Sequence, residues 1–294
     1  MKTAMILAAG LGTRLRPYSD LRPKPLFPVL GRPLLAYTLD RLRCSGFGPL
    51  VVNAHHLRDQ VAATLADQED LILQSEEQIL GTGGGLRRAL THFGSEPVLV
   101  VNGDIFHSID YDWVYREHCR CGAAVTMVLH DCPRFNKVAV TEEGFVAGFD
   151  AETDPDFARR AFTGIHVIDP AVLRSMPADT FYDIIDCYRA LIRSGGKVRA
   201  LPAVGHFWTD MGTPADYLAL HGALLRGEVA GQSVPSSPFY VHPSARLAGR
   251  LQLDDWVAIG ADASVGEEVS LRRVVVWDGA SVPAGSDLCD CIVS

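Results

Sequence analysis

LAAGLGTRLRPYSDLRPKP, the stretch from Leu7 to Pro25, follows an apolar run and carries four cations, Arg14, Arg16, Arg22 and Lys24. Residues 3–9 predict a buried strand, and Gly10 and Gly12 predict a flexible turn directly after it. Successive backbone amides in such a turn, together with nearby cations, suit an anion. The prolines of the loop restrict its backbone, so the cations are held in place. We therefore expect this stretch to bind a polyphosphate.

Strands and helices alternate along the N-terminal part of the chain. Further strands are predicted at 48–56, 70–74 and 96–104, and helices at 33–47, 57–67 and 82–93. This alternation indicates an α/β fold with a Rossmann-like, doubly wound mixed sheet. Functional residues of such a sheet lie where strands end at the carboxyl edge, where Gly10, Asn102 and Gly103 stand. From about Ala123 the pattern favours antiparallel strands, followed by helices at 180–193 and 213–226.

The C-terminal residues repeat with a period of six. Apolar residues stand six positions apart at Val241, Leu247, Leu253, Ile259, Val265, Leu271 and Trp277. Neither a helix nor an isolated hairpin has this spacing, and accidental spacing in a small β domain is the alternative. The pattern resembles the left-handed β-helix of hexapeptide-repeat proteins, in which each short side of a coil turns one apolar residue inward. The sequence thus predicts a first domain at 1–226, a linker at 227–237 and a β-helix domain at 238–294.

Composition and charge exclude several classes of protein. The 294 residues are 48% hydrophobic and 21% charged, as in an ordinary globular protein. A formal net charge of −8 argues against non-specific nucleic-acid binding. No apolar run reaches the ~18 residues that span a bilayer, and no signal peptide is recognised. Seven scattered cysteines predict reduced thiols, so we expect a cytoplasmic protein with no nucleic-acid or membrane partner.

Two common phosphate-binding motifs do not fit the loop. A P-loop requires Gly-x-x-x-x-Gly-Lys-Ser/Thr, which is absent. A dinucleotide-binding fingerprint requires a third glycine where this chain has Leu15, and cations flank that position. The loop is therefore not a P-loop, and a dehydrogenase is disfavoured.

The N-terminal motifs instead resemble the signature of sugar-1-phosphate nucleotidyltransferases. The matching residues are Leu7-Ala8-Ala9-Gly10-x-Gly12-Thr13-Arg14-Leu15-x-Pro17, Pro23-Lys24-Pro25-Leu26 and Pro28-Val29-x-Gly31-x-Pro33. The resemblance covers about residues 1–226 and implies the GT-A-like fold of that family. It also implies transfer of a nucleotidyl group from an NTP, UTP or GTP, to a sugar 1-phosphate. The products would be pyrophosphate and an NDP-sugar for cell-envelope or polysaccharide synthesis.

The same resemblance assigns roles to individual residues. Arg14 would grip the leaving phosphates, Lys24 would neutralise the reacting phosphates, and Asp104 and Asp210 would together coordinate Mg²⁺. The expected ligand contacts are Leu7, Ala8, Ala9, Gly10, Gly12, Thr13, Glu77, Thr82, Gly83, Asn102 and Gly103 for the nucleotide, and Thr163 and Gly164 for the sugar. Taken without the resemblance, each aspartate also fits a turn or a helix cap.

The motifs leave the base and the sugar open. Many hexose members carry a Glu-Lys-Pro after the central strands, and its absence argues against a glucose or thymidylyl assignment. The Thr-Gly-Gly-Gly turn at 82–85 resembles N-acetylmuramate 1-phosphate uridylyltransferases, whereas the β-helix resembles mannose-1-phosphate guanylyltransferases.

Two other functions are compatible with parts of the sequence. A non-catalytic regulatory or scaffold subunit would keep the fold and bind a nucleotide sugar, but it would lose the cations or carboxylates that this chain retains. An acyltransferase would use the β-helix, whose only histidine is His242. The exposed end of a β-helix leaves unpaired strand edges, so a homo-oligomer formed through it is also expected.

Overall fold

Strands and short helices make up most of the computed structural model, which describes residues 2–150, 156–229 and 236–294. Its strands are, in chain order, β1 Lys2–Leu7, β2 Pro28–Val29, β3 Arg32–Pro33, β4 Phe47–Ala54, β5 Leu71–Ser75, β6 Val98–Asn102, β7 Ile105–His107, β8 Val125–His130, β9 Asn136–Val140, β10 Val146–Phe149, β11 Ala158–Ile168, β12 Val198–Pro202, β13 Trp208–Asp210, β14 Phe239–Val241, β15 Arg246–Leu247, β16 Leu251–Ile259, β17 Ser264–Val265, β18 Val269–Val276, β19 Ser281–Val282 and β20 Asp287–Val293. Its helices are α1 Tyr18–Leu21, α2 Leu34–Cys44, α3 Arg58–Leu65, α4 Gly81–Arg88, α5 Tyr111–Cys121, α6 Pro170–Arg174, α7 Ile184–Arg193 and α8 Pro214–Leu225.

The chain divides into two compact units, each built from separate segments. The first consists of Met1–Leu11, Thr38–Gly103 and Ile109–His206, and the second consists of Gly12–Tyr37, Asp104–Ser108 and Phe207–Ser294. These boundaries differ from the sequence-based division at residues 226 and 238. Residues 230–235 of the predicted linker lie outside the described residues, and the division into folding domains stays a prediction.

A nine-stranded mixed sheet forms the centre of the first unit. Its strands run in the order β10-β9-β11-β6-β1-β4-β5, with β8 paired to β11 and β12 paired to β8. The parallel pairing predicted from the alternating pattern is confirmed for β5, β4, β1 and β6, and β11 lies antiparallel to β6. Leu7, Asn53 and Asn102 lie side by side where β1, β4 and β6 end. The carboxyl edge of the sheet therefore gathers predicted site residues, as expected for this class of fold.

One apolar cluster unites the separate segments of the second unit. Its buried side chains come from the loop Gly12–Tyr37, from α8 and from the C-terminal strands, and include Leu15, Phe27, Val29, Leu34, Tyr217, Leu220, Trp256, Val257, Val274 and Trp277. Burial of aromatic and aliphatic side chains is the largest stabilising contribution in such a unit. The cation-bearing loop, which contains only short helical turns and strands, is therefore part of a packed core.

The C-terminal strands pair in parallel, in two sheets ordered β14-β16-β18-β20 and β15-β17-β19. This arrangement is compatible with the predicted β-helix; its left-handed sense stays a prediction. Val241 lies opposite Ile259 and Leu253 lies opposite Leu271, a spacing of 18 residues, or three hexapeptides. Ile259 lies opposite Val276, a spacing of 17. The prediction that Trp277 continues the six-residue series is therefore wrong, because the register shifts between Asp254 and Val257.

No helix among the described residues has both the length and the apolar character needed to cross a membrane.

The pair Thr213-Pro214 is typical of a helix start, and helix α8 begins there with Thr213 as the N-cap residue and Pro214 in the first turn. The Thr213 hydroxyl accepts a hydrogen bond from the Asp216 amide at 3.2 Å and donates one to the Asp216 carboxylate at 2.7 Å. The cap satisfies an amide that has no partner inside the helix.

We predict that Thr213→Ala lowers the free energy of unfolding by about 1 kcal/mol, because the capping oxygen is lost. Urea denaturation measures the change. Thr213→Ser, which keeps the hydroxyl, serves as the control and is expected to lose clearly less. Equal losses in the two variants would contradict a capping role.

Candidate active site

The ammonium group of Lys24 lies between two carboxylates in the second unit. Lys24 Nζ donates to Asp104 Oδ2 at 2.7 Å and to Asp210 Oδ1 at 3.2 Å. Arg14 Nη2 lies 3.6 Å from the other oxygen of Asp210. The structure thus brings together the four residues to which the sequence assigns the chemistry.

A short antiparallel pairing places the two aspartates next to each other. Strand β13 pairs with β7 so that Asp210 lies opposite Ile105. The backbone amide of Met211 then donates to the carbonyl of Asp104 at 3.1 Å. Strand β7 was not predicted from the sequence, and it extends only three residues beyond Asp104. Asp104 directly precedes β7, and Asp210 is the last residue of β13. The pairing of these two strands therefore fixes the distance between the carboxylates.

Burial distinguishes the two cations of this cluster. The Lys24 side chain is 8% exposed, whereas the Arg14 side chain is 59% exposed. A buried ammonium is stable only with charged or hydrogen-bonding partners, and the two aspartates provide them. Arg14 is accessible to solvent and can present its planar group to an anion. Lys24 is a fixed charge inside the site, and Arg14 is a charge at its surface.

Gly12 adopts a backbone conformation that other residues rarely take, with φ of +63°. A Cβ atom there would lie 3.2 Å from Cβ of Ser19. The carbonyl of Gly12 accepts from the amide of Leu15, which closes the three-residue 3-10 turn Thr13–Leu15.

In the first unit, hydrogen bonds connect the ends of four strands, β1, β4, β5 and β6. The Ala8 amide donates to Asn53 Oδ1 at 2.7 Å, and Asn53 Nδ2 donates to Glu76 Oε1 at 2.8 Å. The Gly103 amide donates to the Leu7 carbonyl at 2.8 Å. A side chain at position 103 would clash with that carbonyl, since its Cβ would lie 2.9 Å from the oxygen. The predicted nucleotide-binding backbone is therefore held rigidly.

Sequence reasoning did not single out Asn53 or Glu76. Glu76 is fully buried, whereas the predicted Glu77 is exposed. Glu76 also accepts from the Leu80 amide at 3.3 Å and from Gln74 Nε2 at 3.2 Å. The position of Asn53 at the end of an apolar strand is the sequence signal that could have identified it.

The glycine-rich turn at the start of α4 packs against another segment of the first unit. The amides of Gly83 and Gly84 donate to the carbonyl of Tyr182 at 2.9 and 3.1 Å. The Thr82 hydroxyl accepts from the Ile184 amide at 3.0 Å. These glycines allow the close approach, since a Cβ on Gly84 would lie 2.4 Å from the carbonyl oxygen of Thr180. Residues 180–183 run past this turn, so α7 begins at Ile184. The helix start predicted at residue 180 is therefore wrong.

The two predicted sugar-side residues lie on an irregularity of β11. The Thr163 hydroxyl is fully buried; it donates to the Val128 carbonyl at 2.8 Å and accepts from the Ile165 amide at 3.2 Å. Gly164 has φ of +79°, and a Cβ there would lie 2.7 Å from Nδ2 of Asn102. Thr163 therefore stabilises the irregular backbone, and Gly164 lets that backbone approach Asn102.

Comparison with known proteins decides the family. Residues 3–227 match the family described as Nucleotidyl transferase. The chain belongs to the nucleotidyl transferase family. The mannose-1-phosphate guanylyltransferase of Mycobacterium tuberculosis is 28% identical over 292 residues, 96% of this chain and 81% of that protein. The N-acetylmuramate alpha-1-phosphate uridylyltransferase of Caulobacter vibrioides is 32% identical over 253 residues, 76% of this chain and 97% of that protein.

A solved structure supports the same fold. HddC from Yersinia pseudotuberculosis superposes with a TM-score of 0.64 at 22% identity, over 75% of this chain and 98% of that one. These relatives are named as sugar-1-phosphate guanylyl- and uridylyltransferases, and this chain is a nucleotidyltransferase enzyme. The expectation from the signature residues is thus confirmed at the level of the enzyme class.

Nucleotidyltransferases of this family generally use a divalent metal ion, and the donor atoms of the cluster fit one. Asp104 and Asp210 each direct an oxygen at the same ammonium group. Mg²⁺ prefers such carboxylate oxygens and keeps water or phosphate oxygens as its other ligands. Since no group of three or more metal-ligating side chains occurs among the described residues, phosphates and water would complete the coordination.

His166, on β11, is fully buried. Its ring lies 5.6 Å from that of Phe162 and 5.7 Å from that of Tyr188, centroid to centroid. Neither ring nitrogen has a hydrogen-bond partner within the part of the chain that is described. Burial lowers the pKa of His166 from 6.5 to about 3. This histidine is therefore neutral in the folded protein and belongs to the core of the first unit.

This pKa difference predicts a pH dependence of stability. Below the unfolded pKa of 6.5, only the unfolded chain takes up the proton, so stability falls as the pH drops from 6.5 towards 3. His166→Phe removes this titration. We predict that the loss of unfolding free energy between pH 7 and pH 5 becomes smaller by about 2 kcal/mol in this variant.

Urea denaturation at both pH values measures that loss. His92→Gln, at an exposed position, serves as the control and is expected to keep the wild-type pH dependence. An unchanged pH dependence in His166→Phe would show that His166 does not titrate differently in the folded and unfolded states.

Proposed function

We propose that this nucleotidyltransferase transfers a nucleotidyl group from UTP or GTP to a sugar 1-phosphate, with Mg²⁺ as the metal ion. The observation that supports it is the Lys24 ammonium group held between Asp104 and Asp210, with Arg14 beside Asp210. Phosphoryl and nucleotidyl transfer depend on positioned positive charge around the reacting phosphates. This cluster supplies two protein cations and two metal-binding carboxylates in one place.

In the proposed reaction, an oxygen of the sugar phosphate attacks the α-phosphorus of the NTP. A bond forms between that oxygen and the α-phosphorus, and the bond from the α-phosphorus to the bridging oxygen of the β-phosphate breaks. The electron pair of the broken bond leaves with pyrophosphate. Because a phosphate monoester is ionised at neutral pH, the attacking oxygen carries a negative charge and the protein need not supply a general base.

The charged residues have separate tasks in this proposal. Lys24, as a compact and immobile charge, neutralises the reacting phosphates. Arg14, as an exposed planar donor, binds the leaving β- and γ-phosphates. Asp104 and Asp210 hold Mg²⁺, which neutralises charge on phosphate oxygens when it is bound.

The nucleoside and sugar contacts are proposed from the family signature. The nucleotide contacts are Leu7, Ala8, Ala9, Gly10, Gly12, Thr13, Glu77, Thr82, Gly83, Asn102 and Gly103. Gly10 supports close approach of a ligand, because a Cβ atom there would meet nothing within 4 Å. On the sugar side, Gly164 would present its backbone, and Thr163 would act by stabilising that backbone, because its hydroxyl is buried.

A direct assay tests the reaction. The purified protein is incubated with UTP or GTP, Mg²⁺ and a panel of sugar 1-phosphates that includes mannose 1-phosphate and N-acetylmuramate 1-phosphate. We predict that pyrophosphate is released with at least one donor–acceptor pair and that omission of Mg²⁺ abolishes release. If the folded protein releases none with any pair, the proposal is wrong.

Removal of one metal-binding carboxylate tests the assigned roles. Asp104→Asn is predicted to lower kcat by about a hundredfold or more, because a charged ligand at the reacting phosphates is lost. The matched control is Asp287→Asn, at the exposed start of β20, which is expected to keep wild-type kcat. Thermal denaturation shows whether both variants fold. Near-normal turnover in Asp104→Asn would refute the role of this carboxylate.

A further inference from the structure

The C-terminal strands contact the loop that carries Arg14 and Lys24. We name residues 12–28 the cationic loop. All of its contacts considered below lie within the second unit. They involve Trp277 and Asp278, which follow β18, together with α8 and β20.

Trp277 packs against two aromatic side chains of the cationic loop. Its indole ring lies 4.8 Å from the ring of Phe27 and 5.9 Å from that of Tyr18, centroid to centroid. Both distances fall in the range in which aromatic pairs attract each other. The indole is 3% exposed, so a single side chain from the C-terminal part of the chain packs on the middle of the cationic loop at Tyr18 and near its end at Phe27.

Hydrogen bonds extend this contact to the backbone of the loop. Trp277 Nε1 donates to the Tyr217 hydroxyl at 3.1 Å, and that hydroxyl donates to the carbonyl of Pro28. In the middle of the loop, the Tyr18 hydroxyl donates to the carbonyl of Ile292 at 3.3 Å. The loop is therefore held near residue 18 and near residue 28.

A third contact lies two residues before Lys24. Arg22 Nη1 lies 3.4 Å from Asp278 Oδ2, and the Arg22 guanidinium carbon lies 5.1 Å from the centre of the Trp277 ring. An arginine over the face of a tryptophan is attracted to the ring. The ion pair with Asp278 also orients the guanidinium group of Arg22. Pro23 and Pro25 restrict the backbone on either side of Lys24. The position of Arg22 therefore also limits the position of Lys24.

We propose that Trp277 and Asp278 are positioning residues for the reaction, which fix the cationic loop so that the Lys24 ammonium group stays between Asp104 and Asp210. This inference rests on the proposed function. It assigns the C-terminal strands a part in catalysis, because a misplaced charge at the reacting phosphates loses much of its effect. Val276, and not Trp277, lies opposite Ile259, and the Trp277 ring packs on the loop.

Two conservative variants test the proposal. Asp278→Asn removes the charge that faces Arg22 and keeps an oxygen for the Ala261 amide, which now donates to Asp278 Oδ1 at 3.0 Å. Trp277→Phe keeps an aromatic ring and loses the hydrogen bond to Tyr217. The matched control is Asp290→Asn, which also removes an arginine partner from the C-terminal strands, since Asp290 pairs with Arg273 outside the loop.

We expect Asp278→Asn and Trp277→Phe each to lower kcat by about tenfold with little change in the KM of the NTP. Because both residues act through Lys24, neither substitution should lower kcat further in a Lys24→Met background. Asp290→Asn should keep wild-type kcat. A purely structural role would lower the midpoint of thermal denaturation and leave kcat of the folded protein unchanged, and that result would overturn the proposal, as would additive losses with Lys24→Met.

Hydrogen exchange of residues 12–28 tests the positioning without any turnover. The amides of Leu26 and Phe27 donate to the carbonyls of Pro23 and Lys24, and we expect both to exchange about tenfold faster in Asp278→Asn and Trp277→Phe than in wild type and Asp290→Asn. Unchanged exchange in both variants would overturn the proposal. If wild type releases no pyrophosphate, the proposed function fails, and this exchange measurement alone decides whether the C-terminal strands fix the loop.

Discussion

A buried ammonium group between two carboxylates is the interaction on which the candidate active site depends. An unpaired charge in this position would be costly, so Lys24 is stable there only while both Asp104 and Asp210 accompany it. The three residues come from separate parts of the chain. Their convergence therefore requires the cationic loop, β7 and β13 to hold fixed places, and the short β7–β13 pairing supplies the most direct constraint. The charged groups of the site are therefore held in place by the packed backbone around them.

The two faces of the cationic loop have different partners. On one face, Lys24 meets carboxylates that also suit a metal ion. On the other, Leu15 and Phe27 lie in the apolar cluster of the second unit with Tyr217 and Trp277. Backbone hydrogen bonds close short turns inside the loop, and packing against this core and the prolines add to its order. Charge on one side thus depends on packing on the other.

Local signals in the sequence predicted much of this structure. The parallel strands, the capping role of Thr213 and the grouping of Lys24 with the two aspartates all follow from short patterns or from the family signature. Features set by distant parts of the chain could not be read in the same way. Glu76 and Glu77 are chemically equivalent in the sequence, and only the end of β5 decides which one is buried. The glycines at 83 and 84 predicted a turn, but no local pattern predicts that their amides donate to the carbonyl of Tyr182. The register change in β16 likewise leaves no local signature.

The second unit also bears on how such enzymes can exchange parts during evolution. A protein cut after residue 226 would retain the entire signature motif, yet Phe27 and Tyr18 would lose the indole that covers them. The C-terminal strands therefore cannot be replaced independently of the cationic loop. A gene fusion that replaced them with a foreign repeat would have to supply a matching aromatic surface. We expect the residues at positions 27 and 277 to change together during evolution.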